Sequence, residues 1–498
     1  MTEDPRHPRH DRRRWALLAV AVVALLAAGV VAAVLLTRGE EAAVATTTTE
    51  TETTVPETTA PETAPETTAP PPPPPTEPAG PAPLDLAAAT TPVTATVTWR
   101  TTVATTAQVA VGSPELGPAR WLPPTSLGTS HQVALGGLAP RRTYRVWIRS
   151  RAEDGSQAEG LLDVATPTVT SAIAASADGG IVRLGGEPWF PLMVYGLCSH
   201  HVETALAVGV TLLTGNPCGG LEEQLRALDG RALSGGAAGE EPRDDPTLVA
   251  WFYPDEADAQ GMTGETLPAL PGGPTFLTLT NHFYSGADPL PEGRDMYPGL
   301  VARADVVGFD LYPLQEWCQR NRLVDVELAQ RELVALAAGK PTFQWIEASP
   351  MKCRDSPGQE ITPATVRAES WLALIGGAAG LGFFPAAWTA EIEPAIARVA
   401  DETAILAPSL LGRRLTATVA EGPPTVRAGA WTDGRAIVVA VVNAARTAAS
   451  ARISVKGVGA RTLTVLGEGR AVTAAGGVLA DSLAPLGAHV YVLPPADA

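Results

Sequence analysis

Between residues 168 and 411, short apolar runs alternate with stretches of helical pattern, and this alternation restricts the fold more than any other feature of the chain. Apolar strands separated by helices are typical of a parallel sheet. A doubly wound sheet is the alternative, but no glycine-rich phosphate loop follows the first strand. Eight strand–helix units therefore predict a (β/α)8 barrel, or TIM barrel. The eight predicted strands are Trp189–Gly196, Thr211–Thr214, a weaker one near Arg231–Leu233, Leu248–Tyr253, Thr275–Thr280, Val306–Leu311, Thr342–Ile346 and Gly380–Phe384.

The segments on either side of this region carry short β-prone runs instead. Residues 84–167 alternate apolar and polar side chains along several runs, which predicts a small β-sandwich. Residues 412–498 predict a second β-sandwich packed against the barrel. The chain is therefore expected to be multidomain, in keeping with its 498 residues. The clearest runs are Thr94–Trp99, Gln108–Val111, Thr143–Ile148, Gly434–Asn443 and Ala488–Leu493.

The first of these sandwiches resembles a fibronectin type III domain. Trp99 lies in an early strand, and the run Leu138–Tyr144 reads Leu-Ala-Pro-Arg-Arg-Thr-Tyr. In that family the tyrosine forms the tyrosine corner, a role that the resemblance implies for Tyr144. It also implies that Trp99 and Tyr144 are core residues and that the module is a spacer or a docking domain.

The N-terminus carries an export signal. Every residue from Trp15 to Leu36 is apolar or glycine, and a helix of that length spans roughly 30 Å, the thickness of a bilayer core. Five arginines precede it, so we expect a cytoplasmic segment 1–14 and a transmembrane anchor 15–37, with the remainder outside the cell. The alternative is a signal peptide cleaved near Ala43–Ala45, which would release a secreted protein. Residues 38–83, rich in Thr, Pro and Glu, are expected to be a disordered linker.

Charge and residue spacing exclude several partners. The net charge is −17 and the exported part has no basic stripe, so nucleic acid is not expected as a partner. No histidine spacing typical of a metal centre occurs, and we predict neither a metal nor a cofactor. The sequence leaves the oligomeric state open.

Polar and aromatic side chains follow the predicted barrel strands. In a barrel the active site lies at the carboxyl ends of the strands, so we expect these residues to share one rim. Carboxylates together with aromatic rings suit a carbohydrate as the substrate or ligand. The candidates are His200, Asn216, Asp255, Asn281, His282, Tyr284, Asp310, Tyr312, Trp345 and Trp388.

Two glutamates on that rim are candidates for catalysis. Glu256 comes just after strand four, and Glu347 ends strand seven. Glycoside hydrolysis needs one carboxylic acid to protonate the leaving oxygen and one carboxylate to attack the sugar or activate water. Retention of configuration requires the two groups to be about 5–5.5 Å apart. A glutamate after a strand can also simply cap a helix.

The central region resembles clan A glycoside hydrolases, whose acid/base follows strand four and whose nucleophile ends strand seven. The resemblance lies in Gly180–Pro191, at the entry to strand one, and in Val306–Pro313 at strand six. It implies that Glu256 is the acid/base, that Glu347 is the nucleophile, and that configuration is retained. It further implies that Tyr312 or Tyr284 hydrogen-bonds the nucleophile and that Trp388 forms a sugar platform. Asp255 stands where much of the clan has Asn, which leaves the substrate class open.

The four cysteines are expected to form two disulfides. Cys198 and Cys218 follow the neighbouring strands one and two, and Cys318 and Cys353 follow strands six and seven. Four cysteines allow three pairings, of which the order of barrel strands favours Cys198–Cys218 and Cys318–Cys353. An exported protein can keep such bridges oxidised. A zinc site is the alternative interpretation.

Taken together, these features predict a membrane-tethered retaining glycoside hydrolase that acts on a polysaccharide or glycoconjugate. Two alternatives stay open: a catalytically silent carbohydrate-binding protein, and an envelope scaffold or adhesion protein that acts through its sandwich modules.

Overall fold

The computed structural model describes residues 81–196, 198–215 and 217–495. The expected cytoplasmic segment 1–14, the anchor 15–37, most of the linker and the candidate Asn216 lie outside the described residues. Among the residues that are described, no helix has the length and apolar character needed to cross a membrane.

The N-terminal module is built from six antiparallel strands. The first half of its long second strand pairs with β1 and β4, while the second half pairs with β3 and β5, and β5 pairs with β6. The sequence predicted two strands where β2 runs unbroken. The connecting run Thr101–Thr106 is rich in β-branched residues and has neither Gly nor Pro to end the strand. The strands are β1 (Pro83–Thr90), β2 (Ala95–Ser113), β3 (Gly117–Trp121), β4 (Gly128–Leu135), β5 (Thr143–Ala152) and β6 (Gln157–Ala165).

A three-stranded meander separates this module from the barrel. It comprises β7 (Ala175–Asp178), β8 (Ile181–Leu184) and β9 (Glu187–Trp189). Leu184 and Trp189 pack in one cluster with the barrel residues Met193 and Phe276. The meander directly precedes the first barrel strand, so it lies at the amino-terminal end of the barrel. The predicted strand Trp189–Gly196 is divided because Pro191 cannot donate to a strand ladder.

A closed barrel of eight parallel strands forms the centre, as the sequence predicted. The weak candidate near Leu233 is its third strand, and the circle closes where Leu192 pairs with Leu381. The strands are β10 (Leu192–Tyr195), β11 (Leu212–Thr214), β12 (Leu233–Ala237), β13 (Leu248–Phe252), β14 (Thr275–Leu279), β15 (Val306–Asp310), β16 (Thr342–Glu347) and β17 (Gly380–Phe384).

Helices follow six of the eight barrel strands in the described part of the chain. They are α1 (Val202–Ala207), α2 (Gly220–Leu228), α3 (Tyr297–Arg303), α4 (Val324–Leu336), α5 (Pro363–Gly376) and α6 (Glu393–Leu410), with single 3-10 turns at Ser199–His201 and Asn281–Phe283. No helix follows β12 or β13, so the repeat is incomplete there. Both connections, 238–247 and 253–274, contain proline and glycine, which disfavour helices.

Two antiparallel sheets complete the chain and share a hydrophobic core that includes Val439, Ile453, Leu479 and Tyr491. One sheet has the order β18-β20-β21-β26-β23-β24, and the other β19-β22-β25. Their strands are β18 (Arg413–Leu415), β19 (Ala417–Glu421), β20 (Val426–Thr432), β21 (Ile437–Asn443), β22 (Ala449–Val455), β23 (Thr462–Val465), β24 (Arg470–Thr473), β25 (Val478–Leu483) and β26 (Ala488–Leu493).

A buried ion-pair network stabilises the joint between the barrel and these sheets. Glu402 of α6 is fully buried and accepts hydrogen bonds from Arg367, Arg398 and the Trp371 indole. Arg367 also donates to the carbonyl of Ala488 in β26. Although burial opposes ionisation, the two guanidinium groups hold the pKa of Glu402 below its usual range. The carboxylate therefore stays charged and connects the two domains.

Candidate active site

A pocket opens at the carboxyl ends of the barrel strands. Tyr195 ends β10, Asp310 ends β15 and Phe384 ends β17, and the remaining lining residues are Asp255, Tyr312 and Trp345. These six side chains come from sequence-distant strands, and they meet because parallel barrel strands end on one face. The pocket thus combines two carboxyl groups with four aromatic rings.

The aromatic rings form the walls of this pocket. Tyr195 meets Trp345 edge to face with their centroids 5.7 Å apart. Tyr312 stacks on Phe384, with their centroids 5.9 Å apart and the planes 22° from parallel. The Trp345 indole donates to the Thr278 hydroxyl at 3.0 Å, which fixes its ring. Rigid rings of this kind offer apolar faces to a ligand at little cost in side-chain entropy.

A pair of carboxyl groups shares a hydrogen bond beside these rings. Burial raises the pKa of Asp310 well above its usual range, and the negative charge of Glu256 and a hydrogen bond to it raise the pKa further. The raised pKa favours the protonated form of Asp310 beside Glu256. Such a division between two neighbouring acids is typical of sites for acid–base chemistry.

Asp255 adds a third carboxyl group to the site. The residue as a whole is exposed at the mouth, but it lines the pocket next to Tyr195. Desolvation, followed by the charge of Glu256, raises the pKa of Asp255 to about 6. Burial of the Tyr195 ring, followed by the charge of Asp255, raises the pKa of Tyr195 to about 12, so the phenol remains a donor.

Glu256 has an unusual backbone conformation. Its φ is +48°, in the left-handed region that residues other than glycine rarely adopt. The conformation costs roughly 1–2 kcal/mol and persists only where surrounding structure imposes it. Here it lies in the turn after β13, next to Asp255 and within hydrogen-bonding reach of Asp310. Strain of this kind is concentrated at functional sites.

Glu347 ends β16, and backbone amides of a neighbouring loop bind its carboxylate. Its side chain is fully buried, and its two oxygens accept the amides of Leu314 at 2.9 Å and Gln315 at 2.7 Å. It is not among the residues that line the pocket. The pairing of Glu256 with Glu347 stays a prediction, whereas Asp310 does line the pocket and interacts with Glu256.

A second acid lies against Glu347. Glu369 of α5 is 1% exposed, and its carboxyl group lies close enough to Glu347 for the two groups to shift each other's pKa. Within the described residues neither of its oxygens meets the geometric criteria for a hydrogen bond. Burial raises the pKa of Glu347 to about 7 and, together with the charge of Glu347, raises the pKa of Glu369 well above its usual range. Glu369 therefore holds the proton that this buried pair shares.

Five other candidates do not line the pocket. Tyr284 donates its hydroxyl to Asp325 at 2.6 Å, not to a glutamate. Trp388 packs in the hydrophobic core and is only 8% exposed, and so does not form the platform that the resemblance implied. His200 is exposed and lies against the His201 ring. Asn281 and His282 line a neighbouring cleft of about 530 Å³.

Three residues of the site were not among the sequence candidates. Tyr195 and Phe384 end barrel strands, so the rule that selected the other candidates would have found them. Glu369 lies within a helix, where a single buried acid has no local sequence signal.

Two disulfides brace the rim, as the sequence predicted. Cys198 pairs with Cys218 and Cys318 with Cys353, at Cα separations of 5.4 and 5.5 Å. The alternative of a zinc site is wrong, because all four sulfurs are in disulfides. The bridges connect the loops after β10 and β11 and those after β15 and β16, next to the aromatic pocket.

Compared with protein-family models and with curated protein sequences, the chain has no significant match. Solved structures with a similar chain trace include glycoside hydrolases of several families. A putative α-galactosidase/melibiase from Bacteroides fragilis is 10% identical, with a TM-score of 0.41 over 78% of this chain and 91% of that one. A GH30 endoxylanase from Clostridium papyrosolvens is 13% identical, with a TM-score of 0.37 over 66% and 98%. A GH27 β-L-arabinopyranosidase from Geobacillus stearothermophilus is 10% identical, with a TM-score of 0.42 over 62% and 96%. The case for a function therefore depends on the site itself.

Proposed function

We propose that this chain is a retaining glycoside hydrolase, tethered to the membrane by residues 15–37, that acts on a polysaccharide or glycoconjugate outside the cytoplasm. One arrangement carries the proposal: Asp310 lies beside Glu256 at an aromatic pocket at the carboxyl end of the barrel, where burial and the charge of Glu256 raise the pKa of Asp310 well above its usual range. The pair supplies the acid and the carboxylate that glycosidic cleavage needs.

Asp310 serves as the acid and Glu256 as the nucleophile. This differs from the roles that the resemblance implied, because burial raises the pKa of Asp310 well above its usual range while the oxygens of Glu347 already accept two backbone amides. Retention requires the two carboxyl groups to be about 5–5.5 Å apart, which is wider than a direct hydrogen bond, so the proposal requires the bound sugar to separate them.

The reaction proceeds in two balanced steps. Asp310 gives its proton to the glycosidic oxygen as that oxygen leaves the anomeric carbon, and a Glu256 oxygen bonds to the carbon. Asp310, now a carboxylate, then takes a proton from water, and the water oxygen displaces Glu256 from the sugar. Asp255 accepts a hydrogen bond from a sugar hydroxyl, and the partly exposed rings of Tyr195 and Phe384 pack against the C–H faces of the sugar.

The flanking modules are supports for the barrel. The N-terminal module is of fibronectin type III kind, in keeping with its buried Trp99 and with Tyr144, whose hydroxyl accepts the Ala139 amide at 2.8 Å in the manner of a tyrosine corner. The two C-terminal sheets form a β-sandwich around their common core. The two disulfides are in keeping with an oxidising compartment outside the cytoplasm.

A panel of aryl glycosides and soluble glycans tests the hydrolase proposal. We expect Asp310→Asn and Glu256→Gln each to lower kcat by about 10²–10⁴-fold, and azide to restore turnover in Glu256→Ala by forming a glycosyl azide. Asp178→Asn, an exposed acid in the meander, is the matched control and should leave turnover unchanged. Absence of turnover by the parent, or full activity in both site variants, would disprove the proposal.

A catalytically silent carbohydrate-binding protein is the second candidate. The observation that favours it is the position of Glu347, which is buried against Glu369 and not turned to the pocket. Glycan binding by the parent without turnover, and weaker binding after Trp345→Ala, would support this candidate.

A further inference from the structure

The outer face of the N-terminal module carries a second aromatic site. Trp121 of β3 pairs with Ala110 of β2, Ala110 pairs with Trp147 of β5, and Trp147 pairs with Leu161 of β6. Directly opposed residues in antiparallel strands project to the same face. The four side chains therefore form one row across the sheet, named here the Trp121–Leu161 row.

This row is apolar where a solvent-facing sheet is normally polar. Trp121 and Trp147 are half-buried, and Leu161 is 53% exposed. The core of the module is filled from the opposite face by residues such as Val109 and Ile148; Trp121 packs partly against that core, whereas Trp147 and Leu161 lie outside it. An exposed apolar group of this size marks a binding site in a soluble domain.

The row is concave and of the size of a small ligand. Two strand spacings separate the backbones of the two tryptophans, which is about 10 Å. Ala110 between them is too small to fill the gap, and a cavity of about 340 Å³ results. That volume lies in the range of small-molecule sites, about 300–1,000 Å³. A stable protein partner needs about 800 Å² on each side, far more than a single row of side chains provides.

Charges near the row are already neutralised. Arg149 and Glu159 form an ion pair at 3.1 Å beside the cavity, and Arg145 and Asp163 form one at 2.7 Å in the next row. Neither pair leaves an unbalanced charge to attract an ionic ligand. Their exposed oxygens and N–H groups remain available for hydroxyl groups. The chemistry therefore favours a neutral ligand with apolar faces and hydroxylated edges.

We propose that the Trp121–Leu161 row binds a neutral polysaccharide chain, with pyranose rings stacked on Trp121 and Trp147. The row belongs to a module that precedes the barrel and is distinct from the pocket around Asp310. It holds a polymer without cleaving it. The inference shares its ligand class with the proposed function but depends on different residues.

Binding by the full-length chain carrying Asp310→Asn tests this inference. The probes are soluble arabinoxylan, galactomannan and amylose, with polygalacturonate as the charged comparison, in titration calorimetry. We expect at least one neutral polymer to bind, and Trp121→Ala and Trp147→Ala each to weaken its affinity about tenfold. Val103→Ala, an exposed apolar residue outside the row, is the control and should not change the affinity.

A second pair of measurements separates folding from binding. Trp147→Phe keeps an aromatic ring and should retain most of the affinity, and circular dichroism verifies the fold of each variant. Unchanged affinity in the Trp121→Ala/Trp147→Ala double variant overturns the inference, as does binding of polygalacturonate alone or of no polymer. Hydrolysis of a small aryl glycoside is measured separately on the active chain. Its absence would defeat the proposed function, while tryptophan-dependent binding would still support the row.

Discussion

Replacing Glu369 by glutamine is expected to change how the stability of the protein depends on pH. Glu369 and Glu347 are 1% and 0% exposed and lie against each other, and the pKa of each is raised by burial. In the folded state they bind protons that the unfolded state releases near pH 4.5. Their contribution to stability is therefore complete below about pH 4.5 and is lost as the pH rises through the raised folded-state values.

The magnitude follows from this linkage. While one group is protonated in the folded state and ionised in the unfolded state, each pH unit removes about 1.4 kcal/mol of stability. Glutamine does not titrate, and its amide can donate to the Glu347 carboxylate in the same geometry. Between pH 5 and pH 7 the Glu369→Gln variant should therefore gain stability relative to the parent, up to a limit of about 3 kcal/mol if Glu369 stays protonated across the whole range.

Thermal unfolding of parent and variant at pH 5, 6 and 7 measures this difference. The gain corresponds to a relative rise of about 5 °C or more in Tm between the two ends of the range. Glu391→Gln replaces an exposed glutamate and should follow the parent at every pH. A constant difference in Tm between Glu369→Gln and the parent across the range would refute the shared proton.

Three further results are expected. Activity should fall as the pH drops below about 6, where Asp255 becomes protonated, and a pH–rate profile of Asp255→Asn should lack that acidic limb while keeping measurable turnover. Changing both Cys318 and Cys353 to Ser should lower stability by about 2–4 kcal/mol in urea unfolding, and an unchanged midpoint would contradict a bracing role for this bridge. Tyr144→Phe should cost about 1–2 kcal/mol, because the buried Ala139 amide loses its acceptor; a loss below a few tenths of a kcal/mol would show that the tyrosine corner is dispensable.

The barrel and its bridges were predictable because their signals are local. Strands such as Thr275–Leu279 and Val306–Asp310 are short apolar runs, and both the runs and their spacing can be read directly from the sequence. Once eight runs are placed in order, neighbouring strand ends determine which cysteines can meet, and both disulfides followed. The sequence predicted eight strand–helix units, but no helix follows β12 or β13, where the connections contain proline and glycine.

The rim position of Asp310 was also readable from the sequence, but its partner was not. The end of a strand places Asp310 at the mouth of the barrel, whereas its hydrogen bond to Glu256 depends on the left-handed backbone of Glu256. Nothing in the residue types around Glu256 predicts that conformation. The resemblance to clan A glycoside hydrolases assigns roles by position after a strand. Position alone does not show whether a glutamate such as Glu347 is buried or exposed to the pocket.

The sequence by itself determined which strands form the barrel, which cysteines pair and which carboxylates reach the rim. Each strand can be recognised from the residue pattern of a few positions, and the order of the strands along the chain determines which strand ends are neighbours. Tertiary structure alone decided which of those carboxylates face one another. The Glu347 carboxylate is held by amides of Leu314 and Gln315, which lie more than 30 positions earlier in the chain. Likewise, Trp121 and Trp147 share a face only through strand register. Contacts between sequence-distant groups depend on the assembled backbone, and no local pattern encodes them.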